Sequence, residues 1–264
     1  MAYDERYQQA IARNYDAEYA VIRDPSGDRA FYASLARETG GPVLELACGT
    51  GRVLLPIARE GIPCVGLDHS PAMLDVLRSK DPPPNLELVE APMTDFDLGD
   101  GRFRLVFAAF RGFQHLLSVD EQLTTLACAR RHLAPGGVLA FDVFAPDPAR
   151  IAIAEVPEHE DVRAEEDDEE VRRFSTIWND QATQVMRVRF RHERWRAGVM
   201  VSDEATEIRM RWFWRFELEH LLARTGFTLD AMYGDFDRRP FDAKKEMIVV
   251  ARATGHLPQD ARRQ

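Results

Sequence analysis

The apolar positions change period twice along the chain. Between Val43 and Val143, short apolar runs alternate with segments of helical period. From about Pro146 to Trp214, single apolar and polar residues alternate, and a helical segment and two apolar runs then close the chain. In the first region, residues 43–47, 64–67, 86–89, 103–109 and 138–143 read as strands, short and apolar as strands buried on both faces are. Helices are predicted between them over 53–60, from Ser70 onward, and over 120–133. Ser70 offers an N-cap and Pro71 a preset first turn, while Asp81-Pro82-Pro83-Pro84 ends that helix and Pro135-Gly136-Gly137 closes the next. A helix over 28–39, stopped by Gly40-Gly41-Pro42, precedes the first strand. Such alternation of strand and helix implies a parallel sheet.

The middle region obeys another rule. Met186, Val188 and Phe190 alternate with Arg187, Arg189 and Arg191. Ile208, Met210, Trp212 and Trp214 alternate with Arg209, Arg211 and Arg215, with Phe213 breaking the basic series, and Phe174, Thr176 and Trp178 form a third stretch. Period two with one apolar face predicts an antiparallel sheet laid over the core. Its other face is rich in arginine, and like charges set opposite one another repel. Three sinks for that charge are open: the acid run 165–170, a second subunit, or an anionic substrate. Residues 155–170 are dense in acid and read as a solvated loop. A helix over 217–225 ended by Gly226, strands over 227–233 and 246–251, and a frayed tail from 252 complete the reading.

Composition narrows the setting. The 264 residues suffice for a large core, and the three cysteines, Cys48, Cys64 and Cys128, lie inside apolar segments without metal-like spacing. They read as reduced thiols of a cytoplasmic protein. No apolar run reaches membrane-spanning length, and residues 1–20 lack the apolar stretch of a signal peptide. A formal net charge of −10 argues against a wide nucleic-acid grip.

The chemistry concentrates between Val43 and Asp68. Gly49 and Gly51 follow the first strand at once and allow a sharp turn with close backbone approach. The helix after them would aim its first N–H groups at that turn, which suits an anionic group. Asp68 ends the second strand, where an acid accepts hydrogen bonds from both hydroxyls of a ribose. The stretch therefore describes a site for a nucleoside bearing an anion. The dinucleotide fingerprint is incomplete, since Arg52, Val53 and Leu54 follow Gly51 without a third glycine, and no Gly-Lys-Ser/Thr phosphate loop is present.

Glu45-Leu-Ala-Cys-Gly-Thr-Gly51 resembles the first motif of the class I S-adenosylmethionine-dependent methyltransferases, acid-x-Gly-x-Gly-x-Gly, with Ala47 in the place of the first glycine. Leu133-Ala-Pro-Gly-Gly137 resembles a later step of the same family. The resemblance implies an α/β fold: a Rossmann-like, mostly parallel seven-stranded sheet with helices on both faces, here with an inserted antiparallel β-sheet. It implies S-adenosylmethionine as cofactor, met by Glu45, Ala47, Cys48, Gly49 and Gly51, with Asp68 at the ribose and His69 and Met73 beside it. Pro92 stands where an acid commonly meets the adenine, Asp95 falls at a position that often faces away, and the backbone at Met93 takes the contact. Ala109 passes beneath the ligand.

The order of a tyrosine-bearing helix, His-Leu after the fourth strand, and a late insertion resembles small-molecule N-methyltransferases, including those acting on amino sugars. The implied parts are a helical lid (1–40, with Tyr7, Tyr15 and Tyr19), the cofactor domain (41–150 and 216–253) and the insert (151–215), a substrate cover or dimerisation element. The implied partners are a small-molecule methyl acceptor, with its nitrogen as nucleophile, and at most a second copy of the chain; neither nucleic acid nor membrane is expected. Methyl transfer from a sulfonium is an in-line displacement that needs alignment and exclusion of water rather than a metal. His115 is the candidate base, its alternative role being to fix its loop by hydrogen bonds, and Tyr15 orients the substrate or covers the sulfonium. His192, on the apolar face with Phe190, reads as structural. A competing reading is a domain that binds the nucleoside without chemistry, as a sensor or interaction module; nicotinamide-dependent oxidoreduction is disfavoured by the missing third glycine.

Overall fold

The computed structural model describes Ala12, Tyr15, Asp16, residues 27–166 and residues 168–254. Most of the expected tyrosine helix, with Tyr7 and Tyr19, and the tail beyond 254 lie outside the described residues. With strands numbered in chain order, the main sheet runs β3 (Leu86–Glu90), β2 (Cys64–Asp68), β1 (Val43–Leu46), β4 (Phe103–Ala108), β5 (Leu133–Phe144), β11 (Glu246–Ala253), β10 (Phe227–Tyr233). Neighbours from β3 to β5 are parallel; β11 is antiparallel to both β5 and β10. The seven-stranded, mostly parallel sheet expected from the sequence is present.

Successive strand residues point to opposite faces, so each strand feeds two cores. Leu44, Leu46, Val106 and Phe141 pack with the helices Val119–His132 and Arg215–Arg224. Val43, Leu105, Phe107 and Ala140 pack with the helices Gly27–Thr39, Leu54–Arg59 and Pro71–Ser79. Ser70 caps the last of these, its side chain accepting from the Met73 N–H, with proline in the first turn. The strand order reverses between β1 and β4, the switch point where open parallel sheets keep a crevice at their carboxyl ends. Pro135-Gly136-Gly137 is no linker: β5 starts at Leu133 opposite Phe103, and the three residues form an irregularity before Val138 pairs with Leu105. No helix among the described residues is long and apolar enough to cross a membrane.

The insert departs from expectation. Where three alternating stretches and an acidic loop are predicted, four antiparallel strands form a meander: β6 (Glu155–Glu166), β7 (Glu169–Asp180), β8 (Val185–Arg196) and β9 (Val199–Arg211). The acid-rich stretch is β6 and the start of β7. Its acids lie beside basic residues: Glu160 pairs with Arg163 at 2.7 Å, Asp161 with Arg173 at 2.8 Å, Glu170 with Arg172 at 2.9 Å and Glu169 with Arg196 at 2.6 Å. Glu160–Arg163 and Glu170–Arg172 balance within one strand, whereas Asp161–Arg173 and Glu169–Arg196 balance across two. The last alternating stretch stops at Arg211, because Trp212 and Phe213 turn into the core and Arg215 opens a helix.

The arginine face is neutralised within the chain, mostly by acids outside the run 165–170. Arg187 and Arg209 sit directly opposite, and Glu207 reaches both, at 3.1 and 3.6 Å. Arg191 meets Glu158 at 3.0 Å as well as Glu193 and Asp203. Arg187 and Arg191 also stack on Trp178 and Phe174. Arg189 forms no ion pair among the described residues.

Candidate active site

The turn after β1 adopts the conformation its glycines predict. Ala47, Gly49 and Gly51 have φ of 53°, 54° and 78°. Ala47 thus takes the left-handed region that favours glycine, at a cost of about 1–2 kcal/mol. Gly51 is also required sterically, since a Cβ there would lie 2.3 Å from Leu77 Cδ1. Cys48 serves from below: its buried sulfur fills the space over Gly66, whose added Cβ would come within 2.9 Å of it, and burial pushes the thiol pKa well up. Only the Cys48 backbone belongs to the turn surface. Glu45 is buried, and desolvation raises its pKa well above the ordinary value against the pull of Arg52. Its carboxyl accepts the Leu54 N–H, so one helix-start donor expected to face a ligand is taken by the chain's own acid. Glu45 Oε2 has no hydrogen-bond partner among the described residues. Arg52 is held by Asp28 through bonds of 3.0 and 2.5 Å.

Asp68 joins this turn to the next. Its Oδ2 accepts the Gly49 N–H at 2.8 Å and its Oδ1 the Ser70 N–H at 2.8 Å. Burial raises its pKa, opposed by those N–H groups and by His69, whose Nδ1 lies 3.6 Å from Oδ1. A carboxylate oxygen has a second lone pair, so acceptor capacity remains on both atoms. His69 is exposed beside it; Met73 and Met93 are half-buried and Ala109 is buried. Pro92 and Asp95 are exposed. Asp16, beside the helical and half-buried Tyr15, accepts from the Thr50 hydroxyl at 2.6 Å and pairs with Lys80 at 2.5 Å, so the N-terminal segment meets the glycine turn at Asp16, and Tyr15 is near enough to Arg52 to act on its charge.

The loop after β4 is held by residues that sequence reasoning missed. Phe110 and Arg111 have φ of 52° and 64°, two non-glycine residues in succession in the left-handed region. Asp142, fully buried on β5, accepts the Phe110 N–H at 2.8 Å, the Arg111 N–H at 3.2 Å and the Tyr32 hydroxyl at 2.7 Å. The signal was available: Asp142 is the one acid within the apolar run 138–143. The short 3-10 turn Gly112–His115 follows, and a Cβ on Gly112 would lie 3.5 Å from the Ala47 Cβ, which shows how closely this loop meets the β1 turn. Gln114 donates to the Arg211 carbonyl at 2.9 Å and accepts the Phe144 N–H at 3.1 Å, tying the loop to β9 and β5.

His115 reaches solvent, yet protein crowds it as in a cleft. Desolvation lowers its pKa, a hydrogen bond from the ring to the Arg209 carbonyl raises it, and nearby His69 lowers it. His115, His69 and Asp68 therefore share one neighbourhood. His192 is buried against Phe190 in the insert, away from it.

A cleft of about 880 Å³ opens on the other side of the β4 loop. Phe110 and Arg111 of that loop, Phe144 and Glu246 of β5 and β11, and Ile177 and Met186 of the insert line it. The candidate cofactor residues do not line it. The glycine turn with Asp68 and this cleft are two adjoining spaces that share one loop.

Comparison with known proteins agrees with this geometry. Residues 43–137 match the model of a methyltransferase domain. The structure of the CcbJ methyltransferase from Streptomyces caelestis superposes with a TM-score of 0.76 at 31% identity, over 96% of this chain and 100% of that one. CalS10 from Micromonospora echinaspora, an amino pentose methyltransferase solved with S-adenosylmethionine bound, gives 0.71 at 26% identity over 91% and 96%. An amino-sugar N,N-dimethyltransferase from Streptomyces venezuelae, named for a dTDP-linked 3-amino-3,4,6-trideoxyglucose, is 32% identical over 49% of this chain and 51% of its own length. The match to several curated relatives spans about half of their length. With the motif, the strand order and a full-length structural relative in agreement, the chain belongs to the class I S-adenosylmethionine-dependent methyltransferases.

Proposed function

We propose that this chain transfers a methyl group from S-adenosylmethionine to a nitrogen of a small-molecule acceptor by direct in-line displacement. The observation that carries the reading is the buried Asp68 carboxylate at the end of β2, bonded to the glycine turn it faces, with a separate cleft beginning at the next loop. Asp68 would hold the ribose hydroxyls. The turn from Ala47 to Gly51 would meet the methionine moiety, with Glu45 beneath it. Met73, the Met93 backbone and His69 would flank the nucleoside, and Ala109 would lie under it. The cofactor supplies an activated methyl on sulfur; the chain supplies alignment and a dry site. Tyr15, beside Asp16 and near Arg52, supports residues 1–40 acting as a lid. The insert, residues 151–215, would cover the acceptor, and its long edge strands leave room for a second copy of the chain.

His115 would take the proton that an ammonium acceptor must lose. The Arg209 backbone beside its ring favours the charged form, and a neutral imidazole keeps one nitrogen as acceptor. Its lowered pKa keeps it neutral to a pH below the ordinary value of 6.5. The acid limb of turnover should therefore fall below that value and be lost in His115→Asn, with cofactor affinity kept.

Asp68→Ala tests the cofactor assignment. Loss of its charge-assisted acceptors should weaken S-adenosylmethionine binding by about 2–4 kcal/mol in calorimetry. Unchanged affinity, or a preference for NAD, would sink the assignment.

A further inference from the structure

Resting on the methyl-transfer reading, the cleft beyond Phe110 gives the class of acceptor. Its walls are mainly apolar. Ile151, Ile153 and Phe236 line it together with Val156, Ile177 and Met186, which share one face of the inserted sheet. Ile153 is 49% exposed, a large apolar side chain offered to whatever enters. A body of matching apolar character is what such walls favour, since moving apolar surface out of water is favourable.

The charges of the described residues around the cleft nearly cancel. Arg111 meets Glu246 at 3.2 Å, Arg239 meets Asp237 at 2.7 Å, Lys245 meets Asp235 at 2.9 Å and Lys244 meets Asp242 at 3.1 Å. Arg150, which forms no ion pair among the described residues, shares the rim with the Asp147 carboxylate. Apart from Arg111–Glu246, whose acid is buried, these pairs are largely exposed, and exposed pairs are weak and can be parted by a ligand. Parting them, however, frees an acid for nearly every base: among the described residues the lining carries five bases, Arg111, Arg150, Arg239, Lys244 and Lys245, against four acids, Asp147, Asp235, Asp237 and Glu246, a surplus of a single positive charge. A diphosphate carries at least two negative charges and is met elsewhere by arginine forks and lysines in excess. Here it would face carboxylates on the same rim.

We propose that the acceptor is an amine on an apolar body that carries no phosphate, with its nitrogen toward the Phe110–Arg111 loop and its body against Ile153, Ile177 and Met186. This separates the chain from the relative named for a dTDP-linked sugar.

The test needs no knowledge of the acceptor. Nile red, an uncharged dye that brightens in apolar surroundings, is titrated into the full chain, with thymidine diphosphate as the competing probe. One saturable dye site is expected, weakened at least tenfold by Ile177→Glu and by Ile153→Glu; the second, at a half-exposed position, guards against a folding failure in the first. Millimolar thymidine diphosphate should leave dye affinity unchanged. Displacement of the dye by thymidine diphosphate, absence of a dye site, or a site indifferent to both folded variants overturns the proposal. A parallel titration with S-adenosylmethionine keeps the two readings apart: its failure sinks methyl transfer, whereas the dye results concern the cleft alone.

Discussion

The parallel sheet and the inserted sheet are held together by different physics. In β1 and β4, Val43, Leu44, Leu105, Val106 and Phe107 are fully buried, each pressed between strand neighbours and a helix. Burial of this kind is non-directional and indifferent to salt. The inserted sheet buries apolar side chains on one face only, Val162, Val171, Val188 and Met210 among them. Its other face is a lattice of arginine, carboxylate and aromatic ring, open to water, to salt and to pH. The glycine turn and Asp68 thus sit on an apolar scaffold, while the insert strands that line the cleft depend on solution conditions. All four tryptophans fall between 178 and 214, so their fluorescence reports the insert and its junction, whereas far-UV circular dichroism reports the whole chain.

The largest effect should come from the parallel sheet. Phe107 is fully buried and stacks on Tyr32 with ring centroids 4.6 Å apart. Phe107→Ala should cost about 3–5 kcal/mol, read as a lower urea midpoint by circular dichroism. The comparison breaks if any single charge change on the outer face of the insert costs as much.

The same contrast decides what could be read beforehand. Val43 to Leu46 is legible because a strand buried on both faces has to be apolar, and Gly49, Gly51 and Ser70 because particular backbone conformations and caps demand them. Residues 155–170 are misread because several of their partners, Arg173 for Asp161, Arg191 for Glu158, and Arg194 and Arg196 for Glu169, sit on other strands. Asp142 escapes for the same reason: its role depends on Phe110, Arg111 and Tyr32, which no local period connects to it. Local rules show which residues must be buried or must turn. Which charges meet is a matter of topology.

Asp142 gives the next effect, because it is the exception inside the apolar region. Asp142→Asn keeps the volume but sets an NH2 group against the Phe110 or Arg111 N–H. It should cost about 1–3 kcal/mol, and the two left-handed residues should relax. Methyl transfer should fall while S-adenosylmethionine affinity is largely kept, because Asp68 and the glycine turn are untouched. Loss of cofactor affinity in proportion to turnover would show that Asp142 supports the whole crevice rather than the β4 loop.

Acid should act on the two regions in opposite directions. Hydrogen bonds from Arg191 and Arg194 pull Glu158 and Glu169 below the ordinary carboxylate pKa. Asp161 is also lowered, its bonds to Arg173 and Ser175 outweighing desolvation. Their contribution is complete above the unfolded carboxylate values, near 4, and is lost as pH falls through the depressed folded values. Burial raises Glu45 and Asp68, so the folded state holds their protons more tightly than the unfolded chain, and their part of the stability declines as pH rises above about 4. Acidification below pH 4 should therefore change tryptophan emission before the circular dichroism of the parallel sheet. Coincident transitions would mean that the sheets unfold as one.

The smallest effect sharpens the comparison most, because it shrinks as salt rises. Arg187 and Arg209 are direct cross-strand neighbours, and Glu207 bridges them. Glu207→Gln leaves two guanidinium groups facing each other, with Trp178 stacked on only one. All three side chains are a third or more exposed, so solvent screens the repulsion, and the loss should stay within about 1 kcal/mol. At 1 M salt the screening length falls to about 3 Å. Added salt should then weaken the native pairing but relieve the repulsion in the variant, so the stability gap between the two proteins narrows as salt rises. A gap that stays constant from low to high salt would show that Glu207 contributes packing rather than charge, and that the two sheets are less different than their residues imply.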